Sequence, residues 1–309
     1  MDTRILIGTE SGLWELRGDA LEPVDPFTAR TVTALARRGD ETWAIVDGRA
    51  LWHAGKGASS ALARSGWTEL ASLGERAATC LAATPDGLLI GTTEARLLRF
   101  VAGAPEAIES FDAVEGRDAW HTPWGDPADV RSMAVARDGT IYVNVHVGGV
   151  VRSRDDGRTW TPTLDIDVDV HQVIAHPARA DHVLVAAYDG FGISRDGGAS
   201  WQFLTDGMHA HYGRAVAVAG ETVLASMSTG PGGRKSTLYR KPLDGDTAFT
   251  RCEGLPWFND NIDTGCLAAD GALAVFGTDD GRVFRSLDAG AHWSLVTKGL
   301  PTITTITLG

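Results

Sequence analysis

Three near copies of one octapeptide recur along the chain of 309 residues. They read SRDDGRTW over 153–160, SRDGGASW over 194–201 and SLDAGAHW over 286–293, so all three share Ser-x-Asp-x-Gly-x-x-Trp. The first two copies begin 41 residues apart, and the third begins 92 residues after the second, close to two further periods. A fixed period of about 40–50 residues is typical of the blades of a β-propeller.

Each octapeptide lies between two apolar runs, which predicts a β-hairpin with the octapeptide as its turn. The aspartate can accept backbone N–H bonds within the turn, and the glycine can adopt a positive φ. The tryptophan begins the next strand and can bury its ring against the neighbouring repeat. This explains why a polar turn ends in the largest apolar side chain.

The octapeptides resemble the Asp-box, or BNR repeat, of a β-propeller superfamily. That superfamily includes sialidases, sortilin-type receptors, xyloglucanases and photosystem II assembly factors. The resemblance implies a structural role for the boxes, on the face opposite the ligand site. The matching residues are Ser153, Asp155, Gly157 and Trp160, then Ser194, Asp196, Gly198 and Trp201, then Ser286, Asp288, Gly290 and Trp293.

A second recurring segment gives the number of repeats. Seven equivalent apolar runs begin near residues 5, 42, 88, 141, 183, 223 and 273, most of them between two further apolar runs. Four strands in each of seven repeats predict an all-β, seven-bladed β-propeller that occupies 1–309 as a single domain. The first repeat lacks its innermost strand, and 302–308 has no repeat of its own. We therefore expect 302–308 to pair beside 5–9 and close the ring.

Composition narrows the function classes. The net charge is −12, which disfavours a nucleic-acid partner because such proteins usually carry a basic patch. Three cysteines without C-x-x-C spacing argue against a disulfide framework and a zinc knuckle. The sequence has no run of 18 apolar residues and begins without a basic-then-apolar leader, so we expect a cytoplasmic protein with no membrane partner.

Four unusual loops lead into the innermost strands of blades four to seven, over 118–132, 165–172, 206–214 and 256–265. They are rich in histidine, tryptophan and aspartate, whereas the loops leading into blades two and three are plain. In a propeller these loops share one axial mouth with the loops between the second and third strands. We therefore expect a one-sided site, with ligand-binding candidates Trp120, Trp124, His121, Trp257 and Asp263.

Alignment of the innermost strands places Arg131, His171 and Arg214 at one equivalent position in three consecutive blades. Two guanidinium groups facing one mouth repel each other unless an anion lies between them. This predicts a ligand with a carboxylate, sulfate or phosphate group. The alternative is internal pairing of the arginines with Asp129, Asp169 or Asp263, which would only lock the rim.

Two further hypotheses concern the same loops. His146, His171 and His211 come from adjacent blades, and neutral imidazoles could hold a divalent metal as a cofactor. No spacing motif supports this set. The tryptophans could stack on a sugar, or they could simply pack at the rim.

Two functions remain open. The first is an enzyme, a hydrolase or lyase acting on an acidic sugar or another anionic small molecule. Its general acid and base would be drawn from His171, His211, Tyr188 and Tyr212. A sialidase fits poorly, because that family usually has six blades and an Arg-Ile-Pro motif that this chain lacks. The second is a non-catalytic scaffold with a protein partner, like the photosystem II assembly factors.

Overall fold

The computed structural model describes residues 4–55 and 66–309, which form seven four-stranded antiparallel sheets. Blade one contains β1 (Ile5–Thr9), β2 (Gly12–Arg17) and β3 (Ala20–Val24), and blade two contains β4 (Val32–Arg38), β5 (Glu41–Val46), β6 (Ala50–Ala54) and β7 (Trp67–Ser72). Blade three contains β8 (Ala78–Thr84), β9 (Gly87–Thr92), β10 (Leu97–Val101) and β11 (Ala104–Ala107), and blade four contains β12 (Val130–Val135), β13 (Ile141–Val145), β14 (Val150–Ser153) and β15 (Thr161–Leu164). Blade five contains β16 (Val170–Ala175), β17 (Val183–Ala187), β18 (Gly190–Ser194) and β19 (Gln202–Leu204), and blade six contains β20 (Tyr212–Ala219), β21 (Thr222–Ser228), β22 (Thr237–Pro242) and β23 (Thr250–Arg251). Blade seven contains β24 (Leu267–Asp270), β25 (Leu273–Gly277), β26 (Val283–Ser286) and β27 (Ser294–Thr297), and the chain ends in β28 (Ile303–Leu308).

The last strand closes the ring, as predicted. β28 pairs antiparallel with β1, with Ile306 opposite Ile7, and so supplies the innermost strand of the first sheet. The innermost strands β28, β4, β8, β12, β16, β20 and β24 lie side by side around the axis. The fold is therefore a seven-bladed β-propeller whose first sheet joins both ends of the chain.

The core lies between the blades. Second strands such as β13 and β17 are buried along their whole length, because each sheet packs against a neighbour on both faces. The tryptophans that end two of the octapeptides join this core. Trp160 packs against Phe111 at a ring-centroid distance of 5.1 Å, and Trp293 packs against Phe276 at 5.0 Å.

The three octapeptides form the same hydrogen-bonded turn. In the second copy, Ser194 Oγ donates to Asp196 Oδ1 over 2.8 Å, and the same Oδ1 accepts the backbone N–H of Ser200. The glycine of the third octapeptide, Gly290, has φ +78°, and a Cβ there would lie 2.3 Å from Leu224 Cδ2. The polar turn of blade seven, with a glycine at its centre, thus fits closely against blade six.

Helical segments are short in the described parts of the chain. The α-helix α1 (Glu109–Asp112) has four residues, and the 3-10 turns at Thr93–Ala95 and Arg117–Ala119 have three each. Within 4–55 and 66–309, none of these helices has the length and apolar character needed to cross a bilayer.

Candidate functional site

A cavity of about 1240 Å³ occupies one end of the propeller axis. The first residues of the innermost strands line it, together with the loops between the second and third strands. The octapeptide turns join the third and fourth strands of their blades, so they lie at the opposite end of the molecule. The turns and the cavity thus lie at opposite ends of the propeller, and a purely structural role for the turns stays a prediction.

Arg131, His171 and Arg214 do occupy equivalent positions. In β12 the pairing register shifts between Val130 and Ser132, and in β16 it shifts between Val170 and Gln172. In β20 the shift lies between Gly213 and Val216. Each of the three side chains is therefore carried by a β-bulge at the start of an innermost strand, a feature that re-aims a side chain beside an active site in many sheets.

The same bulge carries a threonine in blades one, two and three, and in blades one and three its hydroxyl links adjacent blades. Thr79 of blade three donates to the backbone carbonyl of Val130 in blade four, and Thr304 makes the corresponding bond to blade two. In blade five, Nδ1 of His171 makes this bond and donates to the carbonyl of Gly213 over 2.5 Å. The carbonyl can only accept a hydrogen bond, so Nδ1 carries a proton. The other ring nitrogen, Nε2, takes no part in this bond between blades five and six.

Two imidazoles and one carboxylate converge on the wall of the cavity. Asp169 Oδ1 lies 3.4 Å from Nε2 of His146, and Asp169 Oδ2 lies 3.3 Å from Nε2 of His171. His171 is fully buried, and its Nε2 makes no hydrogen bond. Burial lowers the pKa of His171, because the charged imidazolium is poorly solvated there, and Arg131 adds to this effect.

The two arginines of the bulges have different partners. Arg214 Nε lies 3.3 Å from Asp263 Oδ1, so the internal pairing that we considered does form for this residue. Arg131 instead donates from Nη1 to Nε2 of His146 over 2.9 Å. Burial, and then the nearby charge of Arg214, lower the pKa of Arg131 to about 10, so it remains a cation at neutral pH.

Both tyrosines predicted as catalytic groups line the cavity. Tyr212 is buried, and its ring lies 4.8 Å from that of His171 and 5.8 Å from that of Tyr188. Burial raises the pKa of Tyr212, so its phenol stays protonated at neutral pH and can donate a proton. Tyr188 is 55% exposed at the rim.

The structure separates the other predicted site residues into two groups. Trp124 and His121 line the cavity, and Trp124 is 69% exposed while its ring lies 5.5 Å from that of His146. Trp120, Trp257 and His211 do not belong to the lining. Trp120 packs against Phe111 and Arg117, and Trp257 packs against His209 and Arg251, while His211 is exposed.

The lining contains Asp263, which the sequence analysis named as a ligand-binding candidate, together with further acidic residues. Its carboxylates outnumber its two guanidinium groups, with Glu10, Asp129, Asp167, Asp169, Asp263 and Asp279. Burial and the nearby Asp263 and Asp260 raise the pKa of Asp279 to about 6. Asp279 lies in the loop between β25 and β26, the second and third strands of its blade. His146 and Tyr188 lie in the corresponding loops of their blades, so the position of Asp279 in the sequence already indicates that it faces the cavity.

A seven-bladed β-propeller with an axial cavity that contains both charged and apolar residues is thus the class of protein that this chain defines. No protein-family profile matches the sequence, and no curated protein matches it. Among solved structures, the chain is similar to a GH74 xyloglucanase from Xanthomonas campestris, with 16% identity, a TM-score of 0.61, and coverage of 85% of this chain and 45% of that one. The chain therefore spans less than half the length of that enzyme.

Two structures of YCF48 are similar over most of both chains. YCF48 bound to D1 peptide has 13% identity and a TM-score of 0.57, with 92% of this chain and 86% of that one covered. YCF48 from Cyanidioschyzon merolae has 14% identity and a TM-score of 0.61, with 94% and 90% covered. Similarity at this level of identity shows the propeller fold, and membership of the BNR superfamily stays a prediction.

Proposed function

We propose that the axial cavity binds a small molecule through an anionic group held between Arg131 and Arg214, and that the protein hydrolyses this ligand or eliminates from it. The main support is the environment of Arg131. This guanidinium lines the cavity beside a second arginine, and it donates from Nη1 to Nε2 of His146. A carboxylate, sulfate or phosphate would offset the repulsion between the two guanidinium groups.

The acidic lining favours a sugar acid over a simple anion. Carboxylates such as Asp167 and Asp169 would repel a second anionic group but accept hydrogen bonds from hydroxyl groups. The exposed ring of Trp124 at the rim can stack on one face of a sugar. The proton donor in this proposal is Tyr212, which lies next to Arg214 and retains its proton.

Sulfate binding tests the anion site. At about ten times its Kd, sulfate should stabilise the protein by about 1.4 kcal/mol in a thermal melt, and the gain should weaken as ionic strength rises. Arg131→Met and Arg214→Met should each lose this stabilisation. Arg137→Met is a matched control, because Arg137 is exposed and lies in the loop between β12 and β13, away from the cavity. Equal sulfate stabilisation in all three variants would rule out the site.

Turnover separates the enzyme from a binding protein. Glycosides of sugar acids should be incubated with the protein, and the appearance of reducing ends or of the ultraviolet absorbance of a conjugated enoate should be followed. Hydrolysis gives the first signal, and elimination beside the carboxylate gives both. Tyr212→Phe should lower kcat while leaving sulfate affinity close to that of the wild type.

The second candidate function is a peptide-binding scaffold. It is favoured by the match in length, since the chain covers most of YCF48 but less than half of the xyloglucanase. A scaffold would bind sugar acids or acidic peptides without consuming them. Binding without product formation across the glycoside panel, together with saturable binding of an acidic peptide, would favour this function.

A further inference from the structure

We propose that His146, Asp169 and His171 bind one divalent transition-metal ion on the wall of the axial cavity. The three side chains each offer one ligand atom, and these atoms all lie within 4.8 Å of one another. Two imidazole nitrogens and one carboxylate oxygen form a donor set that suits zinc, iron and their first-row neighbours. This set differs from the three histidines of the sequence hypothesis, because Asp169 takes the place of the exposed His211.

The distances fit one ion. Ligand atoms about 2.1 Å from a metal at tetrahedral angles lie about 3.4 Å apart. Two separations agree with this value, 3.4 Å from Nε2 of His146 to Asp169 Oδ1 and 3.3 Å from Nε2 of His171 to Asp169 Oδ2, which are different oxygens of the carboxylate. With one ligand atom from each residue, all separations in the set are within 4.8 Å. An ion can therefore enter between the three groups with small side-chain movements.

The orientation of His171 is the strongest observation for a metal. Its Nδ1 donates to the Gly213 carbonyl, which leaves Nε2 as the ring nitrogen that faces the carboxylate of Asp169, 3.3 Å away. This Nε2 is buried and without a close hydrogen-bond partner in the described parts of the chain, so an ion between it and the carboxylate would be bound by both. A metal-bound histidine commonly donates its second N–H to a backbone carbonyl, as this one does.

Comparison of the blades shows that a histidine at position 171 is not required for the hydrogen bond between adjacent blades. Thr79 and Thr304 make the same link between blades with a hydroxyl group alone. Blade five achieves the link with Nδ1 of a much larger side chain and leaves Nε2 unused. This second nitrogen, Nε2, is the atom that would bind the metal.

Arg131 competes with the ion for His146. It donates to Nε2 of His146, which is the nitrogen that would bind the metal. The ion must therefore displace the guanidinium from His146. Arg131 would then be available, beside Arg214, to the anionic group of a ligand, and the ion would supply a bound water of lowered pKa that would act as a general base in the proposed function.

The test is metal titration of the chelator-treated full chain by calorimetry, with Zn²⁺ and Co²⁺ as probes, and with the Co²⁺ absorption spectrum recorded alongside. We expect one ion per chain. His171→Thr restores the residue type that other blades carry, so it should keep the link to Gly213 and lose at least tenfold in metal affinity. Asp169→Asn keeps the shape of the side chain and should lose about 10–100-fold.

His211→Ala is the matched control, since His211 is exposed and stands outside the proposed ligand set. Its metal affinity should equal that of the wild type. Failure of the wild type to take up one equivalent of either ion would overturn the site. So would wild-type affinity in both His171→Thr and Asp169→Asn. Neither result depends on sulfate, so the anion site is judged separately.

Discussion

His171 Nδ1 lies 2.5 Å from the backbone carbonyl of Gly213 and holds blade five to blade six. His171 is fully buried, and the corresponding bond in other blades comes from a threonine hydroxyl. A residue predicted as a catalytic base is thus also part of the interface between two blades. Its ring lies behind the cavity lining, whereas Asp169 and His146 face the cavity.

Substitution at position 171 should therefore affect stability according to whether the link survives. His171→Ala leaves the Gly213 carbonyl without its donor and opens a cavity, so we expect a loss of about 2–4 kcal/mol in the free energy of unfolding. His171→Thr should lose less than half of that amount. His211→Ala should change stability by less than about 0.5 kcal/mol, because the side chain is exposed. Denaturant titration of the metal-free proteins measures all three, and equal losses for Ala and Thr would contradict the linking role.

Ring closure by β28 predicts a strong effect of truncation. Deletion of 302–309 removes Ile303, Thr305 and Ile306, which are buried, and exposes the inner edge of β1. We expect the truncated chain to lose its cooperative thermal transition or to aggregate, because the open ring leaves an unpaired strand edge. Deletion of Gly309 alone is the control. A truncated protein with the melting temperature of the full chain would show that the ring does not need this strand.

Each octapeptide turn should make a pH-dependent contribution to the stability of the fold. Hydrogen bonds from the side chain and the backbone N–H of Ser200 hold the pKa of Asp196 below its usual range. The contribution is therefore complete above the unfolded pKa of about 3.9 and is lost as the pH falls through the lower, folded value. Asp196→Ala should lower the melting temperature by a few degrees at pH 7, and the difference from wild type should shrink in strong acid.

The same variant also tests which end of the propeller binds the ligand. Asp196 lies at the end opposite the cavity, so sulfate affinity in Asp196→Ala should match the wild type. Asp189→Ala, an exposed substitution in the loop between β17 and β18, serves as a stability control. A folded Asp196→Ala protein that no longer binds sulfate would show that the ligand binds at the end of the propeller that carries the octapeptide turns.

Much of this architecture follows from periodicity. The repeat of the octapeptides and of the apolar runs predicted the number of blades, the closing strand and the two ends of the axis, because each of these depends on local sequence and on repetition. The alignment of Arg131, His171 and Arg214 succeeded for the same reason. A bulge at one place in each blade keeps equivalent residues at equivalent positions.

The partners of these side chains could not be predicted in the same way. Alignment gives the position of a side chain in its blade, but its direction depends on loops that differ between blades. His211 and Trp257 come from such loops and stay outside the cavity lining, and Trp120 turns back onto Phe111. The role of Asp169 between two histidines depends on distances between blades, which no pattern within one repeat contains.

At Asp279 we expect pH to affect stability in the opposite direction to its effect at Asp196. The pKa of Asp279 is raised to about 6 by burial and by the nearby Asp263 and Asp260, so the ionised form destabilises the fold. This destabilisation begins as the pH rises above the unfolded value of about 3.9 and is complete above about pH 6. Asp279→Asn should thus stabilise the protein by about 1 kcal/mol at pH 7.5, after allowance for solvent screening of a half-buried group, and by nothing near pH 3.5.

Asp280→Asn is the control in the same loop. Asp280 is bonded to Arg282, which lowers its pKa, so neutralising it should lower stability at pH 7.5 or leave it unchanged. Thermal melts of both variants across the pH range provide the comparison. Stabilisation by Asp279→Asn that persists undiminished at pH 3.5 would mean that charge is not its cause.

Trp124 and Trp257 provide a paired test of the rim. Trp124 is 69% exposed and Trp257 is 47% exposed, but of the two only Trp124 belongs to the cavity lining. Trp124→Ala should therefore leave the melting temperature close to wild type and weaken binding of a sugar acid by about 5–10-fold, as expected for the loss of about 1 kcal/mol of ring stacking. Trp257→Ala should leave that affinity unchanged. Equal losses in both variants would place the ligand over a wider surface than the axial cavity.

The contact between Arg131 and His146 makes the two proposed ligands depend on each other. A metal ion on His146 displaces the guanidinium, which then lacks a partner and faces Arg214 beside a further positive charge. An anion offsets all three charges, so sulfate should bind roughly tenfold more tightly when Zn²⁺ is present, and Zn²⁺ should bind more tightly by the same factor when sulfate is present. Calorimetric titration of sulfate with and without Zn²⁺ measures this coupling. Arg131→Met should abolish the coupling together with sulfate binding, whereas sulfate that still binds this variant and still binds more tightly with Zn²⁺ would mean that sulfate contacts the metal directly. A sulfate affinity that does not change with Zn²⁺ would show that Arg131 does not connect the two sites.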